Sequence, residues 1–164
     1  MSKTEEYLKE AFAGESQANR KYLAFAKKAD QEGYPMAARL FRAAAAAETV
    51  HAHAHLKVLG GIKSTRENLM EAISGETHEF EHMYPEMIAA ATAEGNTQAK
   101  RSFEYANEVE KVHAALYQKM LNNLENQTMV EVYICPICGW TVEGEVPEKC
   151  PVCKTLKKFF ERID

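Results

Sequence analysis

The run Phe103-Glu-Tyr-Ala-Asn-Glu-Val-Glu-Lys-Val-His-Ala-Ala-Leu-Tyr-Gln-Lys-Met-Leu-Asn-Asn-Leu124 holds the feature from which the fold follows. Phe103, Ala106, Glu110, His113, Tyr117, Met120 and Leu124 recur at helical intervals and share one face. On an ordinary amphipathic helix that face carries no charge. Here it carries Glu110 and, one turn later, His113. Three more segments repeat the anomaly. Glu15 sits in the stripe Leu8, Phe12, Tyr22, Phe25, and Glu48 with His51 sits in Leu40, Ala44, Leu59. Glu76, followed by Glu79 or Phe80, sits in Leu69, Ile73, Met83, Met87. Each of four helices therefore aims a carboxylate inward, and two add a histidine three residues on.

Punctuation around these stripes sets the helix limits. The first helix is expected from Lys3 to Glu32, stopped by Gly33, with Pro35 suited to the first turn of the second. The second runs through the alanines 43–47 to Gly60 and Gly61. Ser64 with Glu67 three residues on forms a capping box for the third, which should reach Glu94 with a kink or a lost hydrogen bond at Pro85. The fourth is expected from Thr97 to Asn126. Beyond it the composition changes to strand-like Val130, Val132 and Tyr133, two cysteine knuckles and an aromatic tail. The expected fold is thus mainly α: a four-helix bundle over residues 1–128, then a small separate domain over 129–164.

The inward acids demand a counter-charge. One unpaired buried carboxylate costs several kcal/mol even after relaxation, and a domain has only about 5–15 kcal/mol of stability. Two metal ions held by carboxylates and imidazoles supply the balance, and an oxygen-rich donor set suits iron or manganese better than zinc. Residues three apart on a helix point the same way, so a Glu-x-x-His pair can serve one metal or bridge two. The halves of the chain also echo each other: Glu15 precedes Glu48 and His51 as Glu76 and Glu79 precede Glu110 and His113. That is the ferritin-like di-iron arrangement.

All four cysteines, Cys135, Cys138, Cys150 and Cys153, lie in two Cys-x-x-Cys pairs at one end of the chain. Such clustering points to a tetrahedral metal site, zinc or a single iron, rather than to disulfides. Gly139 permits the positive φ that turns backbone N–H groups toward the sulfurs. A net charge of −4 with no basic run argues against nucleic acid. No apolar stretch is long enough for a membrane span or a signal peptide, so a cytoplasmic location is expected.

Ala11-Phe-Ala-Gly-Glu-Ser-Gln-Ala18, Glu48-Thr-Val-His51, Gly75-Glu-Thr-His-Glu-Phe-Glu-His-Met-Tyr-Pro85 and Glu110-Lys-Val-His113 closely resemble rubrerythrin motifs. With the cysteine module, which is similar to a rubredoxin-like domain, the resemblance covers essentially the whole chain. It implies two non-haem irons: Glu15, Glu79 and His51 serving one, Glu76 and His113 the other, and Glu48 and Glu110 bridging. It implies one further iron at the four cysteines, with zinc as the alternative there. Tyr22 and Tyr84 match tyrosines that hydrogen-bond the ligands. The activity implied is reduction of hydrogen peroxide to water in oxidative-stress defence. Electrons would pass through the cysteine iron from rubredoxin or an NAD(P)H-dependent rubredoxin reductase, since no Gly-rich dinucleotide fingerprint occurs here. The competing readings are a ferritin-like iron oxidation or storage protein and an oxygenase. Lys154 stands where free rubredoxins often have glycine.

Two expectations concern assembly. Thirteen or so residues separate His113 from the end of its helix, about 20 Å at 1.5 Å per residue. The cysteine iron is therefore expected to serve the partner's bundle in a head-to-tail homodimer or larger assembly. The link from Gly60 to Ser64 is shorter than the usual family link at this point, where a ferritin-like topology needs a long crossover. A swap, pairing the first two helices of one chain with the last two of another, would satisfy it.

Overall fold

The computed structural model describes residues 2–164, which divide into two compact units, 2–63 and 64–164. The first is a helical hairpin of α1 (Lys3–Gln31) and α2 (Pro35–Val58). Ser2 and Glu5 close a capping box at the start of α1. Gly33, at φ +80°, ends the helix, and Tyr34 N–H reaches back to the Ala29 carbonyl at 2.8 Å. Pro35 then starts α2, where a missing N–H costs nothing.

Contacts between α1 and α2 show the two helices running antiparallel. Asn19 Nδ2 donates to the Ala45 carbonyl and to Thr49 Oγ1 at 2.7 and 2.8 Å, Phe25 meets Phe41 at 5.6 Å between ring centroids, and Arg42 pairs with Asp30. The buried seam is alanine: Ala38, Ala45 and Ala52, seven residues apart on α2, against Ala26 and Ala29. Small side chains bring the backbones together, and two helices alone cannot enclose the larger ones. Phe25 stays 47% exposed and Leu40 70%.

The second unit begins with α3 (Thr65–His78), capped by Ser64 and Glu67 as its sequence indicated. A π turn, Glu79–Met83, then leads into α4 (Tyr84–Ala93). This is where the expected single helix departs from regularity. Pro85 has no N–H for the usual bond, and its ring crowds the preceding turn. The backbone widens instead, and Tyr84 N–H bonds the Glu79 carbonyl five residues back. After Gly95, α5 (Thr97–Asn122) starts from Asn96, whose side chain accepts from Ala99 N–H at 3.0 Å. The helix stops a turn short of the expected Asn126, because Asn123 folds its side-chain amide back onto the Lys119 carbonyl.

The cysteine module is a three-stranded antiparallel sheet in the order β2-β1-β3, with β1 Val132–Ile134, β2 Thr141–Glu143 and β3 Glu161–Ile163. Its two knuckles are built alike. Gly139 N–H donates to the Cys135 carbonyl at 2.8 Å and Lys154 N–H to the Cys150 carbonyl at 3.0 Å. Both turns need positive φ, +83° at Gly139 and +66° at Lys154, the one non-glycine residue described with that geometry.

The module lies along α5 of its own chain. Thr141 meets His113, Glu143 pairs with Lys119, and a Cβ on Gly139 would sit 3.7 Å from Val109 Cγ1. The head-to-tail expectation assumed that the module hangs beyond the helix end. Within this chain it folds back instead, which places Thr141 Oγ1 3.0 Å from His113 Nε2.

Candidate metal centres

Three groups of donor atoms converge, each with one atom per residue within 4.8 Å of the others: Glu15, Glu48 and His51; Glu76, Glu110 and His113; and Cys135, Cys138, Cys150 and Cys153. The first lies wholly in the α1–α2 hairpin. His51 Nδ1 stands 3.0 Å from Glu48 and 4.0 Å from Glu15. The second repeats it between α3 and α5, with His113 Nδ1 2.8 Å from Glu110 and 3.8 Å from Glu76. In both groups the Glu-x-x-His spacing brings acid and imidazole together within one helix, and the neighbouring helix adds the second acid.

The expected deep burial does not occur in either unit. No charged residue among those described is buried. Glu48 and Glu110 keep 19% and 14% side-chain exposure, while Glu15 keeps 31% and His51 55%. A two-helix hairpin offers only half of a seam, so its donors stay open on one side.

Within each group the acids shift one another's titration. Glu15 is pushed above the usual carboxylate range chiefly by the hydrogen bond it shares with Glu48, and Glu48 is pulled below it by Glu15 and then His51. Glu76 is raised by burial and then by the Glu110 charge, and Glu79 by burial and then by Glu76. A divalent cation would replace the protons on these acids, which is how a carboxylate metal site behaves.

Glu79 stands outside the three-residue cluster but within reach of the Glu76 charge. The π turn brings Tyr84 close by. Eight residues of regular helix from Glu76 would swing Tyr84 about 80° off the donor face, while one residue absorbed by the π turn leaves about 20°. Burial and the charges of Glu79, Glu110 and Glu76 raise its phenol. Tyr22 is packed with Phe25 and Phe41, each 6.3 Å from its ring.

The four sulfurs are poised for a tetrahedral ion. Cys135 and Cys153 are 3.4 Å apart and Cys138 and Cys150 3.5 Å, far too long for disulfides. A metal–sulfur length of 2.3 Å would set sulfur–sulfur edges of roughly 3.8 Å. Burial raises the Cys138 and Cys150 thiols, the penalty a bound cation removes. Burial also pushes on Cys153, but the Thr155 hydroxyl and N–H outweigh it and hold that thiol at about 6. Sequence reading missed Thr141, Lys119 and Glu143, which join the module to α5; 28 residues separate Thr141 from His113, and no local pattern links them.

Helices that present carboxylate–histidine donors, followed by a four-thiolate module, define a ferritin-like, iron-binding redox protein. The family described as Rubrerythrin matches residues 6–121, and that described as Rubrerythrin, rubredoxin-like domain matches 133–161. Rubrerythrin-2 of Clostridium acetobutylicum is 36% identical over 96% of this chain and 95% of its own length. Nigerythrin of Nitratidesulfovibrio vulgaris is 38% identical over 96% of this chain and 85% of its own. The structure of fully reduced, all-ferrous nigerythrin superposes with a TM-score of 0.61 at 37% identity, covering 99% of this chain and 88% of that one. The chain belongs to the rubrerythrin family. Its cofactors are those of the family, a di-iron site at the Glu/His donors and a rubredoxin-like site at the four cysteines, and its role is that of an oxidoreductase. Among the described residues no helix is long and apolar enough to cross a membrane.

Proposed function

We propose that this chain reduces hydrogen peroxide to water as a cytoplasmic defence against oxidative stress. The observation that carries the reading is the seat of the cysteine module on α5, with Gly139 close to Val109, the residue before Glu110 in sequence, and Thr141 3.0 Å from His113. A storage protein has no need of an electron carrier on its ligand helix. Iron held by the Glu/His donors would supply the redox chemistry for the two-electron, two-proton reduction of peroxide to water, and iron held by Cys135, Cys138, Cys150 and Cys153 would relay electrons from rubredoxin or an NAD(P)H-dependent reductase.

The chain's own residues bind and orient. Glu15, Glu79 and His51 would hold one iron and Glu76 and His113 the other, with Glu48 and Glu110 shared between the two. Glu15, Glu76 and Glu79, all raised above the usual carboxylate range, are placed to hold or pass a proton. Tyr84, beside three carboxylates, is assigned as a hydrogen-bond partner of the ligands, and Tyr22 likewise on α1. Residues 1–128 form the di-iron part and 129–164 the electron-transfer part.

Each hairpin carries half of the donor set, and this suggests who completes it. Seven Cα steps from Val58 to Thr65 span at most about 25 Å, whereas the 24 residues of α2 extend about 36 Å. The crossover of a ferritin-like bundle cannot be made with that link. We assign the missing half to a second copy: α1–α2 of one protomer against α3–α5 of its partner, in a homodimer or larger assembly. Half-exposed Phe25 and exposed Leu40 become the buried faces of that pairing. Each cysteine module then serves the site on its own α5.

Peroxide consumption by purified, iron-loaded protein with reduced rubredoxin tests the activity, with about three irons per chain expected from the donor count. Absent peroxide turnover together with iron uptake far beyond three per chain would replace this reading with storage.

A further inference from the structure

Thr141 opens β2, and its hydroxyl faces two groups at once. Oγ1 lies 3.0 Å from the Gly139 carbonyl and 3.0 Å from His113 Nε2. A threonine hydroxyl gives one hydrogen and receives through two lone pairs. The carbonyl has no hydrogen to offer, so the hydroxyl hydrogen goes to Gly139. The other contact must then run from His113 to Thr141, with Nε2–H as donor. Nδ1 of the same ring faces Glu110 at 2.8 Å and Glu76 at 3.8 Å. A ring that keeps its hydrogen on Nε2 offers the Nδ1 lone pair to a cation held by those acids.

His51 differs. It presents Nδ1 to Glu48 in the same way, but its side chain is 55% exposed against 28% for His113. Among the described residues, only His113 of the two is gripped at both ring nitrogens.

We infer that Thr141 is a positioning residue: through its hydroxyl the cysteine module fixes the orientation and tautomer of His113 and so aims Nδ1 at the Glu76–Glu110 pair. The inference rests on the proposed metal assignment, which it deepens. It also couples the two parts of the chain. A cation on Nδ1 makes Nε2–H a stronger donor and tightens the seat of the module. By linkage, a seated module raises cation affinity by the same factor. Thr141 is three residues from Cys138, so the hydrogen bond is also a short bridge between the two donor sets.

The test uses the full chain as wild type, Thr141→Val, which keeps the shape without the hydroxyl, and Thr141→Ser, which keeps the hydroxyl. Iron affinity is read by competition with a chelator. T141V is expected to bind iron at the Glu/His donors about tenfold more weakly, while T141S stays close to wild type and the visible spectrum of the cysteine iron is the same in all three. Undiminished affinity in T141V, or an equal loss in T141S, overturns the inference. A second readout needs no iron. With one equivalent of zinc, which four thiolates take first, amide hydrogen exchange over residues 141–143 should speed up in T141V and not in T141S. Equal exchange in all three overturns the inference. Failure of wild type to take up iron at the Glu/His donors overturns the proposed function instead, and the exchange comparison still decides on Thr141.

Discussion

Replacing Glu76 by glutamine should move stability in opposite directions with and without metal. The side chain is 20% exposed, and its ligand oxygen lies within 4.8 Å of that of Glu110. Two unit charges at that distance repel by ~3.5 kcal/mol at an effective dielectric of 20. Solvent on the open side of the pair, where His113 and Glu110 keep 28% and 14% side-chain exposure, screens part of this. Removing one charge with a near-isosteric amide should therefore stabilise the metal-free protein by about 1–2 kcal/mol, or about 2–8 °C in Tm for a chain of this length. The iron-loaded protein behaves the other way. Wild type gains about 2.7 kcal/mol from a ligand at 100 times its Kd, and E76Q, having lost a donor, forfeits that gain. Thermal unfolding followed by circular dichroism, before and after exhaustive chelation, gives both numbers. An E76Q protein that melts below wild type in the metal-free state would refute the reasoning, since the acid would then be structural rather than held in reserve for a cation.

The pH dependence of Glu79 has a definite sign. Its folded-state value is raised above 4.5 by burial, so its contribution to metal-free stability is present below 4.5 and lost as pH rises through the folded value. The stability gap between Glu79→Gln and metal-free wild type should accordingly widen between pH 4.5 and 7 and close on acidification; denaturant melts at several pH values will show a flat gap if this is wrong. Lys154→Gly should stabilise the cysteine module by about 0.5–1 kcal/mol by relieving positive φ, and Gly139→Ala should destabilise it by at least as much, read from the temperature at which the iron–thiolate absorbance disappears. Co-expression of a His51→Ala chain with a His113→Ala chain tests the exchange of hairpins. Exchanged dimers rebuild one intact site in each mixed pair, for about a quarter of wild-type turnover in a statistical mixture, whereas unexchanged chains would give none.

The fold class was legible because helical spacing is a local property. Ser2–Glu5 and Ser64–Glu67 cap where the code says they cap, and Gly33 turns the chain where it should. The acids of the site were legible for a related reason: Glu110 and His113 are three residues apart, so one helix brings them together at 2.8 Å without any tertiary information. Pro85 announced a disturbance in the third helix but not its form. Whether a helix kinks or widens depends on the neighbours against which it must keep packing.

What the sequence determined alone was the chemistry on offer, namely two Glu-x-x-His halves, four converging thiolates and helices to carry them. Tertiary structure decided which of these donors meet and how openly. It laid the cysteine module back along α5, so that Thr141 reaches His113 across 28 residues, and it left each carboxylate pair open on one side of a two-helix seam. The reason is physical. Helix periodicity fixes directions within a few turns, but the docking of a sheet on a helix depends on residues far apart in the chain, such as Glu143 pairing with Lys119 and the bare backbone of Gly139 close to Val109.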